Sequence, residues 1–528
     1  MMTTSMTRRL AALAAAGMLG LTASCQDFLD VNTNPNAPEK VAANLYLSPM
    51  LHWMVTTGAW DGRCTSQFTQ MLTQSGNSTY DIHGMNIGTD TCGEQWRTTY
   101  WIFGQNLIDM MDKAQAEQRW DILGAGYVFK AWGWLQTTNL HGEIIISGAF
   151  DQTTFEFDYD PQQVAYAETK RMLDSAIFYL EKTDGAVDAA FMGRGDKMYN
   201  GDRVKWLKFA HGLYATMLSH YSNKAAYDPQ AIISHVDQSF TSNTDDALWG
   251  FPNTSNDDRN FMGPSRLNYM TYRQTRFIVG LLDGTVFGPE DPRMRRMLSA
   301  APDSVYRGLT VGESFTALPT AQQPNNPAGY PGNSPAANSP GLYLFGDVVK
   351  YPAMTYAQLQ FIKAEAAYKA GLMPVARDAY RNGISAHIDF VNERNRETGR
   401  GNVSQISAAE KAAFLANPAI VPTDPTQLTL QQIMSQKFIA QWGWGFNEAW
   451  MDMRRYHYED VDPVTGEAIF PGWERPTTLA ANNNGKLAYR LRPRHNSEYV
   501  WNEKGLEKIG GLALDYNTVI PWIITPNP

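Results

Sequence analysis

The chain has 528 residues, a formal net charge of −9 and 18% charged residues, with 15 Trp, 25 Tyr and 3 Cys. An acidic chain without a long basic run has no electrostatic reason to seek nucleic acid or an anionic membrane surface. At ~150 residues per domain the length alone suggests three domains. No composition break reads as a linker, however, and a helical array can grow without splitting because each helix pair touches mainly its neighbours.

Arg8 and Arg9 precede an apolar run from Leu10 to Leu21, 12 residues long. That length suits a signal-peptide core and falls short of the ~20 residues that a membrane-spanning helix needs. Small residues then lead to Cys25. The pattern is that of a lipoprotein signal over residues 1–24, with Cys25 becoming the acylated first residue of the mature chain. The other reading is ordinary secretion, with cleavage near Ser24 and a free Cys25. Removal of residues 1–24 leaves 504 residues and takes two positive charges from −9, giving −11. Residues 25–42 read as a tether, since Val31 to Pro38 are mostly turn formers without an apolar period. Residues 43–528 then form a single domain.

An apolar segment around Leu45–Val55 predicts a helix. Residues 58–93 mix Gly, Ser, Thr and Asn with Trp60, Tyr80, His83 and Met85, which predicts loops. Cys64 and Cys92 either pair across this stretch or remain free thiols. Neither has a Cys or His at ligand spacing, so no zinc site is expected. From Glu94 to Asn139 the pattern is helical twice. Trp96, Tyr100, Phe103, Leu107, Ile108 and Met111 recur at three- and four-residue steps, and Ile122, Tyr127, Val128, Ala131, Trp132 and Leu135 do the same.

Asp160-Pro161 predicts an N-cap and first helical residue for a helix over 161–183, with a partner over 202–221 and a short helix near Pro229–Phe240. Residues 241–345 change character, with Trp249, Phe251, Tyr269 and Tyr272 scattered among Asn, Asp and Gly. Six prolines lie between Pro319 and Pro340, which predicts an extended stretch. Tyr356–Val391 is the clearest repeat unit, two helices broken at Gly371, resembling a tetratricopeptide unit of roughly 34 residues. Leu428–Arg455 is another such pair, opened by a Thr429/Gln432 capping box and interrupted by Gly443 and Gly445. The tail, 457–528, returns to loops, short strands and prolines.

These segments together resemble the SusD/RagB group of outer-membrane lipoproteins, in its second SusD-like branch. The matching stretches run in the family's order from Cys25-Gln-Asp-Phe-Leu-Asp30 and Asn34-Pro35-Asn36 through Gly142-Glu143-Ile144, Tyr159-Asp160-Pro161-Gln162 and Gly201 to Ala210. They continue through Tyr351 to Thr355, Lys363-Ala364-Glu365-Ala366, Glu448 to Arg455 and Ser497-Glu498. The chain departs from the pattern at Ile145, Ile146, His211 and Thr216, which read as structural positions. The resemblance implies a mostly all-α fold, a right-handed superhelix of about four tetratricopeptide-like helix pairs. Their helices fall at about 94–222, 353–391 and 428–456, with loop-rich, short-strand insertions on the convex side. It also implies a lipid-anchored cell-surface protein that captures nutrient, most often a glycan, as a lid on a TonB-dependent outer-membrane porin of the SusC type. Asp27 and Asp30 are the kind of acidic residues that mark surface export in such proteins.

The sequence carries no His-Glu-x-x-His, no Gly-x-Ser-x-Gly, no phosphate loop and no complete dinucleotide fingerprint. Asp460-Val-Asp462 begins like a calcium loop but lacks the later ligand and glycine, and reads as a turn. Asp245-Asp246 and Asp257-Asp258 read as solvated loop acids or acceptors for sugar hydroxyls rather than a hydrolase pair. No catalytic residue, cofactor or metal is expected. Sugar binding without catalysis needs flat aromatic faces with polar groups around them. Trp96, Trp132, Trp206 and Trp450 lie in helical periods and read as packing. Trp60, Tyr80, Trp249, Tyr269, Tyr330 and Trp473 lie in Gly/Asn/Pro-rich stretches and are the candidate platforms. The rival reading is a peptide- or protein-binding adaptor that uses the helical array, with those aromatics as interface anchors.

Overall fold

The helix Leu47–Phe68 is buried along most of its length. In the computed structural model, which describes residues 41–526 apart from 75, 77, 336–338 and 402, it packs along Phe446–Arg455. Gly62 permits that approach: a Cβ there would stand 2.3 Å from the Phe446 ring. The helix therefore continues 13 residues beyond Val55, through the stretch predicted as loop. Gly58 and Gly62 lower local helix propensity, but burial of Cys64 and Phe68 overrides it. Trp60 accordingly stands on a helix. The signal, Cys25 and most of the tether lie outside the described residues.

Four helix pairs follow the predicted spacing. Gly104–Ala116 packs on Trp120–His141, Gln162–Glu181 on Arg203–Ser219, Tyr356–Lys369 on Met373–Glu397, and Leu430–Gln441 on Phe446–Arg455. Trp120–His141 also lies against Gln162–Glu181, and Pro229–Asp237 bridges Arg203–Ser219 to Tyr356–Lys369, so the pairs stack in series. Caps set the starts. Asp202 accepts the Val204 and Lys205 N–H groups, and Asp228 accepts those of Gln230 and Ala231 at the next α-helix, Pro229–Asp237. Thr429 and Gln432 form the predicted capping box. Asp160 behaves differently from expectation. Its carboxylate accepts the Ile146 and Ser147 N–H groups at 2.8 Å each and leaves the Gln162 helix uncapped by a side chain.

Two short antiparallel pairings tie the loop-rich segment to the helices: Leu72–Gln74 with Tyr272–Gln274, and Ala247–Trp249 with Tyr351–Met354. The segment also holds a helix, Arg276–Leu282, capped by Thr275. The tail contributes a helix at Glu503–Lys508 and only an isolated bridge, Val461 to Ala468, among its described residues.

Several stretches that carry the family resemblance meet in one buried ionic network. Arg455 donates to both oxygens of Glu365 at 2.8 and 3.0 Å and to Asp452 at 2.6 Å, and Lys437 reaches Asp452 at 2.8 Å. His220 contacts Glu448 at 2.7 Å. Burial pushes the Glu365 carboxyl upward, but the Arg455 guanidinium outweighs it and holds the group well below the usual carboxylate range. Three other acids singled out in the sequence are buried as well, Asp245 and Asp246 against the expectation of solvated loop acids, while Asp257 is exposed as expected. Asp462 is buried and accepts the Leu430 and Val464 N–H groups. Asp245 pairs with Lys208 at 2.7 Å, and Asp246 accepts the Tyr356 N–H at 2.6 Å.

Candidate ligand-binding site

Of the six predicted platforms, Tyr80, Trp249, Tyr269 and Trp473 are buried. Tyr269 lies parallel to the Phe446 ring and donates to the Ala59 carbonyl, while Trp473 stacks on Tyr458 with centroids 5.1 Å apart. Tyr80 meets the edge of Phe68, and Trp249, in a strand rather than a loop, packs on His52. Trp60 is half-buried, with Phe261 at 4.8 Å and the Arg63 guanidinium at 4.7 Å from its ring. Tyr330 is also half-buried, with the Arg400 guanidinium 5.0 Å from its ring. The structure does not gather the six into one surface.

Trp101 is an exposed aromatic, 67% exposed, with the Arg97 guanidinium 4.3 Å from its ring. Its position has a local cause. Residues Thr98–Phe103 form a π-helical turn between Glu94–Arg97 and Gly104–Ala116, closed by Gly104 at φ +32°. Such turns are rare and often mark functional sites. The inner side of the turn is held by hydroxyls: Thr98 bonds Thr57 at 2.6 Å, and Thr99 bonds Thr137 at 2.8 Å. Tyr100 donates to the Ile145 carbonyl at 2.7 Å and accepts the Ile145 N–H at 2.9 Å. With its neighbours pinned inward, Trp101 points out.

The base of the turn is fastened to Leu47–Phe68 in two ways. Cys64 and Cys92 form a disulfide, Cα–Cα 6.2 Å. Beside it, the buried Asp61 carboxylate accepts the Glu94 and Gln95 N–H groups at 3.1 and 2.7 Å, capping a helix that has no cap of its own. Burial pushes Asp61 up to about 7 despite those two hydrogen bonds.

Two hollows share Arg97 and Trp101 as a common wall. One, of about 310 Å³, is lined largely by apolar groups, among them Trp96, Tyr100, Ile145, Phe150 and Phe157, with Arg494, Ser497 and Glu498 at its polar side. The other, of about 450 Å³, is lined by Leu45, Tyr46, Trp53, Ile102 and Asn106 and begins at Val41. Both volumes fall within the range of small-ligand sites. Arg97 lies 4.3 Å from the Trp101 ring and 5.2 Å from Trp53, and pairs with Glu94 at 2.6 Å. A second π-helical turn, His495–Tyr499, supplies Ser497 and Glu498. The first hollow thus lies between both π-helical turns of the described residues. Phe155 and Trp501 stand 85% and 74% exposed nearby; the Phe157 N–H, on the strap that carries Phe155, donates to Asn502 at 2.9 Å.

Burial, reinforced by the Glu498 charge, raises the Tyr100 and Tyr159 phenols well above their ordinary value, so both remain neutral donors. Ile145, a departure from the family pattern expected to be structural, lines the hollow. Reasoning on helical period passed over Trp101, although the signal was present: it is the aromatic that falls off the apolar set formed by Trp96, Tyr100 and Phe103.

The helix pairs stack in series and leave the Trp101 indole exposed. Residues 35–492 match the SusD-like family described as starch-binding and associating with the outer membrane, and the chain belongs to that family. Comparison with curated proteins gives no match. Among solved structures the fold is similar to a SusD/RagB family protein from Bacteroides thetaiotaomicron, at TM-score 0.68 and 20% identity over 93% of this chain and 100% of that one. It is also similar to a chitin-binding protein, at TM-score 0.69 and 19% identity over 92% and 100%. A third likeness is to a chitin-binding SusD homologue from Flavobacterium johnsoniae, at TM-score 0.63 and 18% identity over 92% and 99%. Among the described residues no helix is long and apolar enough to cross a membrane.

Proposed function

We propose that this protein is a non-catalytic glycan-binding lipoprotein of the cell surface, which holds an oligosaccharide at Trp101 and passes it to a TonB-dependent porin. The observation that carries the reading is an indole left exposed by a π-helical turn, flanked by two hollows and backed by an arginine. An indole face accepts the C–H side of a pyranose ring, and Arg97, Asn106, Ser497 and Glu498 are within the same walls to meet hydroxyls. The family's description as starch-binding and the chitin-binding proteins of similar fold support a glycan as the ligand.

Acylation of Cys25 would place the site near the membrane. About 16 residues separate Cys25 from Val41, at the rim of the second hollow, a span of at most roughly 55 Å when extended. A tether of that length raises the effective concentration beside a porin, so weak affinity suffices. Calorimetry against a panel of polysaccharides and oligosaccharides tests the binding; no heat with any glycan would refute it. Labelled palmitate appearing on wild type and not on Cys25→Ala tests the anchor, and co-purification with a porin tests the partner.

A further inference from the structure

A third cavity, of about 60 Å³, shares no residue with the two hollows beside Trp101. Its walls come from Leu47–Phe68, Trp120–His141, Arg203–Ser219, Tyr356–Lys369 and the turn into Phe446–Arg455, so it lies where the helix pairs meet. That volume holds a few water-sized groups. Part of the room exists because residue 58 is glycine: a Cβ there would meet nothing within 4 Å. Three polar groups in the walls offer acceptors. Gln358 is 4% exposed, and its Oε1 has no partner. The Thr216 hydroxyl donates to the Gly212 carbonyl at 2.9 Å, which leaves its lone pairs to accept. Glu448, 6% exposed, has one ion-pair contact among the described residues, His220 at 2.7 Å, and an imidazole need not carry charge. The neighbouring cations are engaged elsewhere. Arg455 pairs with Glu365 and Asp452, Lys437 pairs with Asp452, and Arg454 donates to the Asn139 and Tyr489 carbonyls. Trp132 and Trp444 add indole surface, and the Trp444 N–H is committed to the Ala440 carbonyl.

We propose that this cavity binds a primary ammonium group carried on a short carbon chain. An ammonium has three N–H donors, and the Glu448 carboxylate, Gln358 Oε1 and the Thr216 hydroxyl are three acceptors for them. Indole surface favours a cation over a neutral group. The positive charge also gives the buried carboxylate a partner that His220 alone does not guarantee. A potassium ion would meet the acceptors but not the carbon walls. A neutral alcohol would fill the room but bring one donor for three acceptors. The proposal stands apart from the glycan reading, since Trp101 takes no part in it.

Saturation-transfer NMR on the full-length protein in detergent, at constant ionic strength, compares ethylammonium with 1-propanol and tests displacement by potassium chloride. Ethylammonium is expected to saturate with a dissociation constant of about a millimolar, the scale set by the ligand-efficiency ceiling for three heavy atoms. It is expected to bind at least tenfold more tightly than 1-propanol and to resist displacement by potassium. Glu448→Gln, which keeps an acceptor for His220, is expected to weaken ethylammonium binding at least tenfold. Gly58→Leu, which fills the cavity, is expected to abolish it. Absence of saturation by ethylammonium, equal binding of 1-propanol, displacement by potassium, or unchanged binding in Gly58→Leu overturns the proposal. If Glu448→Gln does not fold, Gly58→Leu decides, because that change falls at a half-buried helical glycine with open space beside it.

Discussion

The Asp61 carboxylate accepts the Gln95 N–H at 2.7 Å, so a side chain on one helix caps the start of another 34 positions further along. That hydrogen bond fixes the base of the turn from which Trp101 projects, and it carries a pH signature. Burial raises Asp61 from 3.8 to about 7, so the folded chain holds a proton that the unfolded chain releases between those values. The Asp61 contribution to stability therefore falls as pH rises from about 4 to 7, by an amount on the order of a few kcal/mol. Denaturant unfolding of wild type and Asp61→Asn at pH 4 and pH 7.5 should show the variant gaining relative to wild type as pH rises; a constant difference would contradict this.

Acid works on other groups in the opposite sense. Burial lowers His83 and His141 to about 3, so both stay neutral in the fold while the unfolded chain takes up protons below about 6.5. Their contribution is lost as pH falls from 6.5 toward 3. That of Glu365, held low by Arg455, is lost below about 4.5. Replacing His141 with Gln should therefore flatten the fall in stability between pH 6.5 and 4, read from thermal midpoints; an unchanged slope would remove His141 from the account.

The Cys64–Cys92 bridge closes a loop of 28 positions. In the chain-entropy model such a loop contributes about 3–4 kcal/mol. The Cys64→Ala/Cys92→Ala double variant should shift the denaturant midpoint downward by a corresponding amount and weaken glycan binding, since Cys92 and Gly93 lead into the helix Glu94–Arg97 that carries the π-helical turn. An unshifted midpoint would mean that the Asp61 cap and the threonine bonds suffice.

Arg455 lies buried between Glu365 and Asp452. Arg455→Met leaves two buried carboxylates without their shared cation, which should cost about 3–5 kcal/mol. Chemical denaturation measures this. A loss under 1 kcal/mol would show that Lys437 compensates.

The helix pairs were legible in the sequence because their apolar residues recur at helical spacing and Asp202, Thr429 and Gly371 punctuate them. The continuation of the first helix to Phe68 was not, because the Gly, Ser, Thr and Asn mixture from residue 58 onward reads as loop until Phe446 supplies the reason for Gly62. The candidate surface was the least legible part. Trp249 and Tyr269 sit in polar surroundings in sequence, but the antiparallel pairing with Tyr351–Met354 and the Phe446 ring bury them. The π-helical turn that exposes Trp101 depends on contacts with Thr57, Thr137 and Ile145, from three separate stretches of chain. A one-dimensional period cannot express such long-range pinning.

Titration of a glycan that binds wild type into Trp101→Ala, alongside Trp249→Ala, tests the central claim most directly. The account predicts at least tenfold weaker binding for Trp101→Ala with an unchanged thermal midpoint, because the ring is 67% exposed. For Trp249→Ala it predicts a lowered midpoint from a cavity costing about 3–5 kcal/mol. Full affinity in Trp101→Ala would contradict it.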